Sequence, residues 1–296
     1  MTVLAIVLWG MSYIWSDQLL SQGIPVEYFL FIRVLTAGII LLVLNIVAEI
    51  DIRIHKEDTL KFVLLAAFEP LIYFFCETYG IKFTESPTYA ALIIATTPVF
   101  ASFAGVIFFK EHMGWKNRLG ILVCLIGLTM TTFYATSIGR LFILGVILLL
   151  LAVFAEVGQA SYTKALSDRY KPTVIVMYQF LLGSILMLPT FISNGLVNFE
   201  SQTYLSWQVF RPILCLAILC SSVAFSFWAI TIKHLGVAKS SVFQAMIPIV
   251  TALVGAILGQ ESLSLLQWCG IAVACSGLIM AQVATARKRD ARSSRA

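Results

Sequence analysis

Long apolar runs separated by short polar turns fill this chain from end to end. A helix rises about 1.5 Å per residue, so crossing a hydrocarbon layer of about 30 Å takes roughly 20 apolar residues. Measured with that length, ten stretches qualify: 2–20, 28–48, 61–82, 88–109, 117–134, 141–163, 172–192, 211–232, 238–259 and 264–286. The breaks are turn-like, as at Gln22-Gly23-Ile24-Pro25 and Ser137-Ile138-Gly139-Arg140. The longest connection, about 193–210, is too short for a soluble domain. The pattern predicts an all-α membrane protein with nearly every residue in or beside the bilayer.

The pattern also repeats. Pro98, Gly105, Glu111, Gly120 and Gly127 recur, with a constant offset of 150 residues, as Pro248, Gly255, Glu261, Gly270 and Gly277. Self-similarity at a fixed spacing marks a duplicated structural unit. Ten spans in two copies give five per copy, an odd number, so the second copy enters the membrane from the opposite side. The expected architecture is ten transmembrane helices in two inverted five-helix repeats, the first over 1–136 and the second over 137–296 with a basic tail. The early helices align more loosely, with Arg33 against Gln179 and Ala37 against Gly183.

Composition agrees with the membrane class. Apolar residues make up 60% of the 296 and charged residues 12%, with a mean hydropathy of +0.94; ordinary soluble domains carry about 25% charged residues. The net charge of +5 does not form a nucleic-acid-binding face, because the basic residues lie in short loops and the tail. Their placement orients the chain. With the N-terminus in the cytoplasm, sixteen Lys and Arg fall on inner segments, and only Lys82, Arg140 and Arg211 on outer ones. By the positive-inside rule both termini are cytoplasmic, in the inner membrane. The run opening at Thr2 lacks a basic lead-in and a clear cleavage context, and is expected to stay as the first helix. Six cysteines scattered through apolar runs, with no Cys-x-x-Cys and no His at metal spacing, act as small apolar residues. No metal and no cofactor is expected.

Candidate chemistry is confined to polar groups inside the spans. Enzyme signatures and a phosphate-binding glycine loop are absent, so no catalytic residue is assigned and transport without ATP is expected. A carboxyl in hydrocarbon costs several kcal/mol unless it is paired or faces a wet cavity. Helix three carries Glu69, Tyr73 and Glu77 at i, i+4 and i+8, one drifting stripe, and helix six carries Glu156 and Gln159 at i and i+3. These acids are either hydrogen-bonded structural groups or part of a substrate or proton-coupling site. Asp17 and Arg33 share a depth near the outer face and suit a structural ion pair. Pro98 and Pro248 lie mid-span, where each should free a carbonyl four residues back, on Ile94 and Gln244, beside Thr97 and Ser241. Pro70 should do the same to helix three. Trp9, Tyr13, Tyr73, Phe74 and Trp228 could supply stacking walls, although most of the chain's aromatics must simply pack. Glu111 and Glu261 close helices four and nine and suit capping roles. The repeated glycines suit close approach between helices.

Each half resembles the EamA module of the drug/metabolite transporter superfamily: Pro, then Gly, then Glu before a short loop, then two glycines on the next helix. The opening Trp9-Gly10-Met11-Ser12-Tyr13 is similar to that family's start, with Ser12 where Asn is common, and Pro25 followed by Arg33 matches the second helix. The resemblance implies two inverted five-helix repeats around a cavity bounded by helices one, three, four, six, eight and nine. It also implies alternating access by rocking of the halves. The expected function is secondary transport of a small polar or amphipathic metabolite, such as an amino acid or amine, by an exporter or exchanger, with protons as a possible coupling ion. The alternatives are import or exchange of a vitamin or nucleotide-like metabolite, or a passive selective pore. Expected partners are the substrate and the lipid bilayer, with the protein a monomer or weak homodimer.

Overall fold

A computed structural model describes residues 1–97, 100, 115–132, 139–196, 204, 206–235, 240–259 and 262–293. The described residues form helices and connections without a strand. In chain order they are α1 (Thr2–Ser21), α2 (Val26–Val47), α3 (Lys56–Thr84), α4 (Pro87–Ile94), α5 (Trp115–Thr132), α6 (Arg140–Ser167), α7 (Pro172–Gly195), α8 (Trp207–Leu235), α9 (Ile247–Ile257) and α10 (Leu265–Ser293). Six of them, α1, α2, α3, α6, α7 and α8, are long and apolar enough to cross a membrane. Shorter apolar helices occupy Leu119–Thr131, Phe243–Ile257 and Leu265–Met280. The expected spans 88–109 and 238–259 each run into residues outside the described ones.

Local sequence sets the helix ends. Ser86 caps α4 by accepting the Tyr89 amide at 3.2 Å, with Pro87 at the first helical position. α1 stops at Gly23, whose φ of +74° suits a residue without a Cβ. The Gly23 amide donates to Leu20 and the Ile24 amide to Leu19, the double closure of a Schellman end.

The burial pattern is inverted relative to a soluble bundle. On α6, Leu141, Ile143, Leu144, Ile147, Leu151 and Phe154 face outward. Polar groups such as Arg33, Glu69, Glu77, Gln159, Gln179 and Gln244 are buried. An apolar exterior around a polar interior is what a hydrocarbon solvent selects.

Small residues bring the helices together. A Cβ at Gly38 would lie 2.9 Å from Leu181 where α2 meets α7, and one at Gly10 would lie 2.6 Å from Val250 where α1 meets α9. The Thr251 hydroxyl donates to the Gly10 carbonyl at 3.0 Å in the same crossing. Gly80 of α3 faces Leu149 of α6. In the α5–α10 crossing Gly127 lies against Gly270 and Ala274, and Gly277 lies against Gly120 and Cys124.

At the end of the bundle carrying the α2–α3 and α6–α7 connections, Asp58 is fully buried. It accepts from Lys61 at 2.7 Å, Tyr170 at 3.0 Å and Arg169 at 3.1 Å. The His55 amide donates to the Tyr170 hydroxyl at 3.0 Å. Burial raises the Tyr170 phenol above its ordinary value, so it stays a proton donor to Asp58. This cluster fastens the start of α3 to the segment between α6 and α7.

Candidate functional site

One cavity of about 30 Å³ lies in the middle of the bundle, with space for about two waters. Trp9, Ser12 and Tyr13 of α1, Arg33 of α2, and Glu69, Tyr73, Phe74 and Glu77 of α3 line it. From the other half come Glu156 and Gln159 of α6, Phe225 and Trp228 of α8, and Gln244 and Ile247 at α9; Ile94 of α4 completes the described wall.

The acids differ in how they are held. Glu77 accepts from the Tyr73 hydroxyl at 2.9 Å, one turn below it on a regular stretch of helix, Tyr73–Thr84. Glu156 accepts from the Gln244 amide on one oxygen and lies 2.6 Å from the Thr97 hydroxyl on the other. Gln159 turns its amide to Thr163 at 3.1 Å. Glu69 lies in a break, not on a helix. Its backbone is extended, φ −148° and ψ 121°, within the wide turn Ala67–Ile72. A residue before proline is pushed towards that region. The expected continuous i, i+4, i+8 stripe is therefore interrupted at Glu69, and the break turns the carboxyl into the cavity. Pro70 packs against Gly183 of α7, a contact that requires a residue without a side chain there.

The proline-linked carbonyls are satisfied locally. The Ile247 amide donates to the Gln244 carbonyl, because Ser241–Met246 is a tight 3-10 turn leading into α9 with Pro248 in its first turn. The expected free carbonyl at Gln244 is thus corrected: its side chain, not its backbone, reaches the cavity. The Thr97 hydroxyl lies 2.7 Å from the Ile94 carbonyl, so that acceptor is covered as well. Pro98, Glu111 and Glu261 lie outside the described residues, as does the side chain of Ser241. Pro248 is buried but does not line the cavity.

The aromatic wall is a connected group. Trp9 meets Phe225 edge to face at 5.1 Å and Trp228 at 5.2 Å. Arg33 is 2% exposed, donates from Nε to Ser221 at 2.8 Å, and lies over the Phe74 ring at 4.1 Å. Sequence reasoning placed Arg33 with Asp17 and missed these partners. Phe225 was also missed. It reaches the wall at the end of Leu216–Ala224, a widened helical segment in which the Ser222 hydroxyl donates to the Ala217 carbonyl at 3.0 Å. The six cysteines are free thiols. Among the described residues no group of His, Cys, Asp and Glu is arranged to hold a metal ion.

Comparison with known proteins places this geometry in a family. The chain is 25% identical over 283 residues to an uncharacterised transporter of Archaeoglobus fulgidus, covering 94% of each chain. It is 24% identical to the uncharacterised inner membrane transporter YedA of Escherichia coli K12, over 93% of this chain and 87% of that one. A Salmonella typhimurium protein named "Probable amino-acid metabolite efflux pump" is 22% identical, over 99% and 97% of the two chains. A protein of known crystal structure shares the fold with a TM-score of 0.68 at 16% identity, over 96% of this chain and 94% of that one. The model of the EamA-like transporter family matches residues 1–133 and again 143–282. With nearly its whole length matched, the chain belongs to the EamA-like transporter family, as a multi-pass membrane protein built to carry a small molecule.

Proposed function

We propose that this protein is a secondary transporter that carries a small polar or amphipathic metabolite through the central cavity by alternating access, as an exporter or exchanger. The observation that carries this reading is the convergence of Glu69 and Glu77 with Glu156 and Gln244, from the two halves of the chain, on one cavity. A site shared between two bodies changes shape when they rock, which is what moving a substrate without ATP requires. Protons are the proposed coupling ion, since Glu69, Glu77 and Glu156 place titratable carboxyls on the described cavity wall.

The accompanying architecture is ten spans in two inverted repeats, 1–136 and 137–296. Two features support it. Gly127 meets Gly270 while Gly120 meets Gly277, so positions offset by 150 residues exchange partners, as they do about a two-fold axis. The family model also fits the chain twice, once in each half. Reporter tags at Thr2 and Ala296 are expected on the cytoplasmic face and a tag near Asn198 outside; termini on opposite faces would exclude an even, inverted arrangement.

Function is tested by counterflow in proteoliposomes against a panel of amines, amino acids, vitamins and nucleotides. Saturable exchange that accelerates when substrate is preloaded is the expected result. Flux that neither saturates nor responds to preloading would replace the transporter with a passive pore.

A further inference from the structure

We infer that the cavity selects an amphipathic amine: a substrate with one protonated nitrogen held by Glu69, an apolar body against the Trp9 group, and no carboxylate. This rests on the transporter reading above and narrows it. The inference comes from an inventory of donors and acceptors on the wall. Several of the wall's donors are turned to protein partners. Ser12 donates to the Trp9 carbonyl at 2.7 Å, the Trp9 indole to the Cys220 carbonyl at 3.3 Å, Tyr73 to Glu77, and Gln244 to Glu156. Arg33 donates from Nε to Ser221 and lies over the Phe74 ring, and its buried Nη1 has no hydrogen-bond partner.

Glu69 supplies free acceptor capacity on the wall. Glu69 is 4% exposed, lines the cavity, and makes no hydrogen bond among the described residues. Glu77 and Glu156 each have a fixed donor, which leaves Glu69 as the carboxyl with both oxygens available. A buried carboxylate without a partner is costly, and an ammonium supplies both the opposite charge and the missing donors. Three carboxyl groups and one guanidinium line the space. A substrate carboxylate would add a fourth anion to a wall that holds one guanidinium. Trp9, Trp228 and Phe225 line the same space, and aromatic rings attract a cation and accept an apolar body, so they suit the same ligand. With space for about two waters, the cavity must widen to admit such a molecule.

Four compounds with one phenyl body separate the possibilities: phenethylamine, phenylalanine, 3-phenylpropionate and 2-phenylethanol. Binding is read on the purified full chain by calorimetry and by thermal shift, and exchange by counterflow in proteoliposomes against protein-free vesicles. Phenethylamine is expected to bind at least about tenfold more tightly than the other three. Glu69→Gln should remove that preference, and Glu69→Asp, which keeps the charge, should restore part of it. Equal or tighter binding of phenylalanine or phenylpropionate overturns the inference, as does wild-type amine affinity in a monodisperse Glu69→Gln protein. Binding by none of the four also overturns it. Saturable exchange of a zwitterion or anion without the amine would remove the amine class and leave the transporter standing. Absence of saturable exchange for every compound, including the wider panel, would remove both.

Discussion

Replacing Glu69 or Glu156 by glutamine is expected to reduce pH-dependent transport to the background of protein-free vesicles while leaving a folded, monodisperse protein. The two acids come from different halves and share one cavity wall. Glutamine keeps the volume and hydrogen-bonding capacity of glutamate but cannot gain or lose a proton. At position 156 the amide oxygen can still accept from Gln244 and the amide nitrogen can face the Thr97 hydroxyl, so the local network survives. At position 69 there is no hydrogen bond among the described residues to lose. A folding defect is therefore not expected from either change, and a loss of rate reports on charge. The check is uptake at about pH 6 and about pH 8 with equal protein per vesicle. Wild-type rate and pH response in both variants would leave these acids as structural groups and remove proton coupling from the proposal.

Much of the bundle was legible because hydrocarbon imposes one rule along the whole chain: apolar outside, backbone bonds closed within each segment. The ends of α1 and α2 follow from Gly23 and Pro25, and the apolar face of α6 follows from its leucines. The cavity was partly legible for the same reason. Polar groups are expensive in a span, so Glu69, Glu77, Glu156, Gln159 and Gln244 stood out by type, and the structure sets all five on one wall. Their local backbone was harder to read. Glu69 carried the restriction that a following proline imposes, yet its spacing to Tyr73 and Glu77 suggested an unbroken helix, and the break prevails. At Gln244 a mid-span proline pointed to an orphan carbonyl, but a 3-10 turn closes that bond one residue earlier. Arg33 shows the remaining limit. Its partner Ser221 is 188 residues away, and depth in the membrane could offer Asp17 but not a hydroxyl on a distant helix. The widened turn in α8 that aims Phe225 inward has no marker in the local sequence, since it lacks both glycine and proline.

The second large effect concerns the α5–α10 crossing, where valine in place of Gly127 or Gly277 is expected to destabilise the protein severely. Without a hydrophobic drive between helices in lipid, close backbone approach through small residues supplies the association. Here the approach is as near as glycine allows. A Cβ at Gly127 would overlap the backbone of Ala274 and come within 2.6 Å of the Gly270 carbonyl. One at Gly277 would overlap the Cys124 amide and come within 2.6 Å of the Gly120 carbonyl. These obstacles are main chain, which cannot rotate aside as a flexible side chain does, so the helices must separate. Overpacking of this kind costs about 1–3 kcal/mol or more per site. Gly139→Ala is the control, because a Cβ there meets nothing within 4 Å. Thermal unfolding in detergent should show large losses for both valine variants and none for the control. Neither α5 nor α10 contributes to the described cavity wall, so ligand binding per folded molecule should be retained in whatever fraction survives. A Gly127→Val protein as stable as wild type would mean that α5 and α10 do not cross at the distance described here, and the exchange of partners about a two-fold axis would lose its physical basis.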